Sequence, residues 1–193
     1  GLTVAGPGLL KSVKNSKNQS TFHWKTNYTI SNYCILFNVG KYKLVTREYT
    51  SIDGNKIPMH FYVLEEHADK APYHLQLLER SCRVLEKYFG EYPWAKEKIG
   101  LAETPHLGME HQTMNAYGNK FNYSKLGGQD FDWLMHHEFG HEWWANKVTN
   151  RDWGHMWIQE GICTYGDALI VRDMEGEEAY NQRMRQTARR AGN

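Results

Sequence analysis

The sequence predicts an α+β fold, in which an antiparallel β segment precedes a part that combines a mixed sheet with helices. Short apolar and aromatic runs fill the chain up to about residue 66, a pattern typical of strands. Beyond residue 70, apolar residues recur at spacings of three and four, a pattern typical of helices. The polar run at residues 65–70 lies between the two patterns, so we expect one part at residues 1–66 and another at residues 67–193.

Four strands are predicted in the first part. Two of the runs flank Asp53-Gly54-Asn55, a strong hairpin signal because Gly and Asn tolerate a positive φ. The predicted strands are residues 21–26, 33–39, 41–49 and 57–64. Four strands are too few for an independent sandwich, so we expect this part to belong to a larger β domain or to pack on the second part of the chain.

A helix opens the second part. Pro72 stands where a helix start tolerates its missing N–H, and Gly90 is a typical helix end. Between them one apolar face is formed by Leu75, Leu78, Cys82, Leu85 and Phe89. Further along, we predict strands at residues 98–104 and 109–117, a loop at 119–129, and helices at about 131–147, 155–172 and 177–190.

Composition excludes some classes of partner and leaves the compartment open. The formal net charge of +1 gives no electrostatic reason to expect nucleic acid or an anionic membrane surface. No apolar run is long enough to predict a membrane span. The three cysteines are far apart and odd in number, so we expect structural thiols. Five tryptophans between Trp133 and Trp157 predict a contribution to the core.

The stretch H-E-F-G-H at residues 137–141 carries the chemistry of a metal site. Residues four apart share one face of a helix, so the imidazoles of His137 and His141 can converge on a single Zn²⁺. Glu138 lies beside the two histidines but not between them. That placement suits a catalytic base that acts on water better than a third metal ligand.

A catalytic zinc needs a third protein ligand and an open fourth position. Eighteen residues separate His141 from Glu160, which begins the next predicted helix and completes a set of two histidines and one glutamate. The sequence therefore predicts one Zn²⁺ per chain, held by His137, His141 and Glu160. The alternatives are a buried histidine pair and a structural zinc site, although structural sites usually have four ligands rich in Cys.

Two motifs together resemble the M1 (gluzincin) aminopeptidases. The H-E-x-x-H pattern is followed by W-I-Q-E-G at residues 157–161. Upstream, L-G-M-E-H at residues 107–111 stands in the place of the family's G-x-M-E-N strand. The chain from about Trp24 also resembles the last strands of the family's N-terminal β domain. The resemblance implies that the first part is the end of that domain and the second part begins a thermolysin-like zinc peptidase domain.

The resemblance also implies an activity, that of a zinc metalloaminopeptidase acting on peptides with a free N-terminus. Glu110 would bind the α-amino group of the substrate, and the backbone at Gly108 and Met109 would pair with the peptide as an added strand. Glu138 would be the general base. Two alternatives remain: a zinc endopeptidase with the same chemistry, and a catalytically incomplete zinc-binding fragment or scaffold.

The sequence departs from the family pattern in several places. His111 replaces the usual Asn of the upstream motif, and Gln159 replaces a common Asn before the third ligand. Neither Tyr165 nor Tyr180 lies where the family's transition-state tyrosine is expected. Because the chain also lacks an initiator Met, we expect a fragment whose partner is the remainder of a larger enzyme.

Asp167 is a candidate to support one of the zinc histidines. It follows Glu160 by seven residues and shares its helix face. A metal-bound histidine commonly donates its other N–H to a carboxylate, which is the role that we expect for Asp167. The alternative is an exposed helix charge, and a separation above about 4 Å from both rings would exclude the hypothesis.

Overall fold

The computed structural model describes residues 1–191. Eleven strands and four α-helices in this range are β1 Thr3–Ala5, β2 Leu9–Asn15, β3 Ser20–Lys25, β4 Asn38–Gly40, β5 Tyr42–Thr50, β6 Lys56–Leu64, α1 Ala71–Phe89, β7 Ile99–Glu103, β8 Gly108–Met109, β9 Asn115–Tyr117, β10 Ser124–Leu126, β11 Gln129–Phe131, α2 Trp133–Gly140, α3 Glu160–Glu175 and α4 Glu177–Ala191. Short 3₁₀ or π turns lie at Asn32–Cys34, Glu65–His67, Glu142–Lys147 and Trp153–Ile158.

A mixed sheet of five strands organises the fold, and the predicted α+β class is confirmed. The strand order is β5-β6-β7-β9-β8. The hairpin β5-β6 is antiparallel, β6-β7 and β7-β9 are parallel, and β8 returns antiparallel to β9. Helix α1 connects the parallel strands β6 and β7, as such a crossover requires. Strand β8 is therefore an edge strand, and within residues 1–191 its outer side pairs with no other strand.

The core lies between this sheet and the helices. The predicted apolar face of α1 is confirmed, with Leu75, Leu78, Cys82 and Leu85 at most 2% exposed. This face packs in one cluster with residues of β6 and with Phe139 of α2. Pro72 lies in the first turn of α1, and Gly90 ends the helix with a φ of 85°. The position of α2 is thus fixed by the same core that holds the sheet.

The sheet and core join both parts of the chain that the sequence suggests. Strands β5 and β6 come from residues 1–66, whereas β7, β8 and β9 come from residues 67–193. Their side chains share one cluster. The division at residue 66 remains a proposal, and the two parts have a common structural core.

The predicted strand at residues 33–39 is wrong over most of its length. A 3₁₀ turn occupies Asn32–Cys34, and only β4 at its end is extended. The Ser31 side chain accepts a hydrogen bond from the Tyr33 N–H, a local contact that competes with strand formation. Strands β1 and β2 are additional to those predicted.

Two predicted helices are shorter than expected. The helix predicted at 131–147 spans only Trp133–Gly140, and an irregular π turn follows in which Trp144 and Ala145 leave helical geometry. The helix at 155–172 begins only at Glu160, after a 3₁₀ turn that the Asp152 side chain caps. Helix α4 agrees with its prediction.

Two other predictions need correction. The predicted loop at 119–129 contains the hairpin β10-β11, whose turn places Gly127 and Gly128 at positive φ. The predicted strand at 109–117 is interrupted, because the chain reverses between β8 and β9 and Thr113 adopts a φ of 60°. This reversal carries Glu110 and His111.

The tryptophan cluster is only partly core. Trp143 is 5% exposed, but Trp153 and Trp157 are 67% and 63% exposed. The 3₁₀ turn that carries the last two runs along the surface, which explains the error. The three cysteines are buried and free, as expected. No helix in the described part of the chain is long and apolar enough to cross a membrane.

Buried His74 predicts a loss of stability in acid. Burial among aromatic rings lowers the pKa of His74 to about 3. As the pH falls from about 6.5 towards 3, the unfolded chain binds a proton that the folded state excludes. The free energy of unfolding should then fall by about 1.4 kcal/mol per pH unit from this group. Urea unfolding of wild type and His74→Gln at several pH values measures how the free energy of unfolding changes with pH.

The matched control is His23→Gln, which changes an exposed histidine on β3. We expect His74→Gln to flatten the pH dependence and His23→Gln to leave it as in wild type. Equal slopes for wild type and His74→Gln would contradict the prediction.

Candidate metal centre and peptide site

Helix α2 presents the first two candidate ligands, and its start is fixed by Asp132. This buried residue caps the helix by accepting a hydrogen bond from the Met135 N–H at 3.1 Å. It also accepts hydrogen bonds from the Tyr117 hydroxyl at 2.7 Å and the Asn119 amide at 3.1 Å. Tyr117 belongs to β9, so the cap sets the helix against the sheet.

The three predicted metal ligands come together. His137 and His141 lie one helical turn apart, with ring centroids 4.8 Å apart and rings nearly perpendicular. Glu160, the first residue of α3, places its Oε2 at 3.2 Å from His137 Nε2 and 3.6 Å from His141 Nε2. One ligand atom from each residue lies within 4.8 Å of the others. Two nitrogens and one carboxylate oxygen thus converge on one point, which we call the focus.

The other nitrogen of each imidazole is already engaged. His137 Nδ1 lies 3.0 Å from Asp167 Oδ2, which is within the range that the Asp167 hypothesis requires. His141 Nδ1 lies 3.0 Å from the Trp144 carbonyl oxygen, which the irregular backbone after α2 turns towards the ring. Donation from both Nδ1 atoms would leave both Nε2 lone pairs free to point at the common position.

The charges around the focus suit a cation. Burial disfavours the charged form of His137, but hydrogen bonds to Asp167 and Glu160 outweigh this effect and raise its pKa to about 10. Contacts with His137 and His141 hold the pKa of Glu160 well below its usual range. A carboxylate that stays ionised therefore faces two ring nitrogens.

Glu138 lies next to this focus with a proton affinity suited to acid–base chemistry. Burial raises its pKa to about 7; His141 opposes this effect, and the nearby carboxylate of Glu110 reinforces it. A carboxyl group with such a pKa can accept and return a proton near neutral pH. Gly108 makes the placement possible, because a Cβ there would lie 2.9 Å from the Glu138 carboxylate oxygen.

Glu110 follows β8 directly and is only 4% exposed. Its carboxylate lies in a second group with Glu138 and His141, in which one polar atom of each is within 4.8 Å of the others. The Tyr33 hydroxyl donates a hydrogen bond to Glu110 Oε1 at 2.8 Å. Tyr33 is not among the site residues predicted from sequence, because no local pattern links two residues 77 positions apart.

A cavity of about 520 Å³ opens beside the focus. Residues that line it include Leu107, Tyr123, Trp133, His137, Asp167 and Arg183. The cavity mixes aromatic surface with a few polar groups, as binding sites for organic molecules commonly do.

Comparison with known proteins assigns the family. Residues 73–192 match the sequence model of the peptidase family M1 domain. The chain belongs to peptidase family M1. The resemblance predicted from the two motifs is thereby confirmed, and both motifs lie inside the matched region.

Curated relatives include proteins named as aminopeptidase N and as leukotriene A-4 hydrolase. Aminopeptidase N of Escherichia coli is 26% identical over 167 residues, covering 82% of this chain and 19% of that protein. Leukotriene A-4 hydrolase of Xenopus laevis is 23% identical over 171 residues, covering 86% of this chain and 26% of that protein. The chain thus spans about a fifth of the length of the first of these relatives and about a quarter of the second.

Solved structures share the fold. The M1 zinc metallopeptidase of Deinococcus radiodurans superposes with a TM-score of 0.80 at 21% identity, covering 97% of this chain and 41% of that one. Aminopeptidase A of Legionella pneumophila, solved with aspartic acid, gives 0.77 at 19% identity, covering 90% of this chain and 22% of that one. These likenesses confirm the mixed-sheet α+β fold.

The contact between Asp167 and His137 predicts a measurable effect on metal affinity. Asp167→Asn should weaken Zn²⁺ binding about 10- to 100-fold, because the carboxylate orients the ring and raises its basicity. Competition with a chromogenic chelator measures the dissociation constant. Asp173→Asn, on the same helix but paired with Lys87, is the matched control and should bind as wild type. An unchanged affinity in Asp167→Asn would show that the carboxylate does not support the site.

Proposed function

We propose that this chain carries the catalytic core of a zinc-dependent aminopeptidase, which removes N-terminal residues from peptides. The observation that carries the proposal is the focus formed by His137, His141 and Glu160, with both Nδ1 atoms already engaged. Membership of family M1 and relatives named as aminopeptidases support it.

The donor set fits zinc. His137 and His141 would each offer Nε2, and Glu160 a carboxylate oxygen, which is the ligand set of several zinc peptidases. One Zn²⁺ would be held per chain. When bound, the ion supplies a Lewis acid and lowers the pKa of water to about 7. The structural relative from Deinococcus radiodurans is itself named as a zinc metallopeptidase.

Glu138 would move the proton. Its half-buried carboxyl group, with a pKa of about 7, can take a proton from the attacking water and pass it to the leaving amine. Glu138 stands between His137 and His141 in sequence, so α2 and its C-terminal cap residue fix the candidate base together with two of the three candidate ligands. The absence of a side chain at Gly108 lets β8 lie against this carboxyl group.

The substrate would bind along β8. The backbone of Gly108 and Met109 forms a sheet edge, and an extended peptide can add to such an edge through main-chain hydrogen bonds. Glu110 comes directly after this edge, and its carboxylate lies near both Glu138 and His141. A substrate ammonium bound by Glu110 would restrict cleavage to the first peptide bond.

Replacing Glu138 tests its role in the catalytic step separately from metal binding. Glu138→Gln should lower kcat by about 10²- to 10⁴-fold, because the amide cannot accept the proton. Zinc content, measured by atomic emission, should equal that of wild type. The control is Glu178→Gln, which changes an exposed glutamate on α4. A Glu138→Gln variant with wild-type turnover would refute the role of the base.

N-acetylation of the substrate separates an aminopeptidase from an endopeptidase with the same zinc chemistry. A peptide with a free N-terminus should be cleaved, whereas its N-acetylated counterpart should not, since the amide carries no charge for Glu110 to bind. Mass spectrometry of the products identifies the bond that is cut. Cleavage of both peptides at an internal bond would favour the endopeptidase, and hydrolysis of neither in a single-turnover assay would favour a zinc-binding module without activity.

A further inference from the structure

Tyr33 reaches the site from a segment that lies outside the family match of residues 73–192. Its hydroxyl donates to Glu110 Oε1 at 2.8 Å. No other side-chain hydrogen bond to Glu110 occurs within residues 1–191. The conformation of this carboxylate thus depends on one donor.

The segment that carries Tyr33 is held firmly. Ser31 caps the 3₁₀ turn Asn32–Cys34. Cys34 is fully buried, and its thiol donates to Asn146 Oδ1 at 2.9 Å, which ties the turn to the chain after α2. The Tyr33 ring packs edge-on against Trp153 with centroids 5.4 Å apart. The backbone and the ring of Tyr33 are therefore both held in place, and this fixes the position of the hydroxyl.

The hydrogen bond affects which group Glu110 can contact. The ligand atoms of Glu110, Glu138 and His141 already lie within 4.8 Å of one another, so a free Glu110 could turn towards the metal focus. Burial and the carboxylate of Glu110 raise the pKa of Tyr33, so its hydroxyl remains a donor. With Oε1 bound to Tyr33, the carboxylate keeps its second oxygen for a cation.

We propose that Tyr33 is a positioning residue that holds Glu110 for the α-ammonium group of the substrate and away from the metal ligands. This inference rests on the proposed aminopeptidase function. It gives the N-terminal segment a part in substrate selection that acts through Glu110.

Two inhibitors that share a zinc-binding group test the proposal. Leucine hydroxamate carries the α-ammonium, and 4-methylpentanohydroxamate lacks it. In the intact zinc-loaded protein, Tyr33→Phe should weaken binding of leucine hydroxamate about tenfold and leave binding of 4-methylpentanohydroxamate unchanged. The reason is that Glu110 loses the charge-assisted hydrogen bond from Tyr33 that holds it for the ammonium. KM for a free-amine peptide should rise by a similar factor, with little change in kcat.

Tyr28→Phe is the matched control. Its hydroxyl accepts a hydrogen bond from the Lys96 N–H at 3.2 Å and makes none to Glu110, so both inhibitors should bind as to wild type. The phenyl ring in Tyr33→Phe keeps the packing against Trp153, and an unchanged thermal midpoint verifies folding. Equal weakening of both inhibitors, or of neither, would overturn the positioning role.

Glu110→Gln distinguishes this proposal from the function on which it rests. If Glu110→Gln loses the preference for the amino inhibitor and Tyr33→Phe keeps it, the positioning role is wrong and the aminopeptidase function stands. If Glu110→Gln keeps the preference, another group recognises the ammonium, so the roles of Glu110 and Tyr33 are both wrong while the aminopeptidase function stands. If both proposals hold, the double variant should be no weaker than Glu110→Gln alone, since Tyr33 acts through Glu110.

Discussion

The buried carboxylate of Glu142 joins the helix of the candidate ligands to the turn of the candidate amine site. It accepts hydrogen bonds from Trp94 Nε1 at 2.8 Å and from the Thr113 N–H, Asn115 Nδ2 and Asn146 Nδ2, each at 3.0 Å. Burial raises its pKa to about 7, which shows how costly the charge is at this position. The donors offset that cost, and in doing so they join the chain near Trp94 and the stretch from Thr113 to Asn115 to the turn after α2.

The position of Glu110 relative to Glu138 depends on these hydrogen bonds to Glu142. The turn between β8 and β9 carries Glu110, and α2 carries Glu138; both elements are held by contacts to the sheet and to Glu142. The resulting proximity of Glu110, Glu138 and Glu160 concentrates negative charge beside two imidazoles. Mutual repulsion contributes to the raised pKa of Glu138, and a divalent ion together with a substrate ammonium would relieve it. The proposed zinc ion and the proposed substrate ammonium would thus both be favoured by the same carboxylates.

The sequence predicts the part of this site that depends on helical periodicity. His137 and His141 share a face because they are four residues apart, and Asp167 reaches His137 because it lies two turns after Glu160. The Trp144 carbonyl could not be predicted, since it faces His141 only where the backbone leaves the helix. The apolar neighbours of Tyr33 predict a strand, whereas a side-chain cap at Ser31 turns the chain. Contacts made by backbone groups or by distant segments leave no local signal.

The N-terminal segment makes hydrogen bonds to the turn that carries Glu110 and to Glu110 itself. Lys98 is buried and donates to the Gly6 carbonyl at 3.0 Å, while burial lowers its pKa to about 7. The Gly8 N–H donates to the Thr113 hydroxyl at 2.8 Å, so the loop before β2 braces the turn that carries Glu110. On the other side of that turn, Tyr33 holds Glu110 itself. The family match begins at residue 73 and contains all three candidate ligands and the candidate base, yet Glu110 accepts a hydrogen bond from a residue that precedes the match.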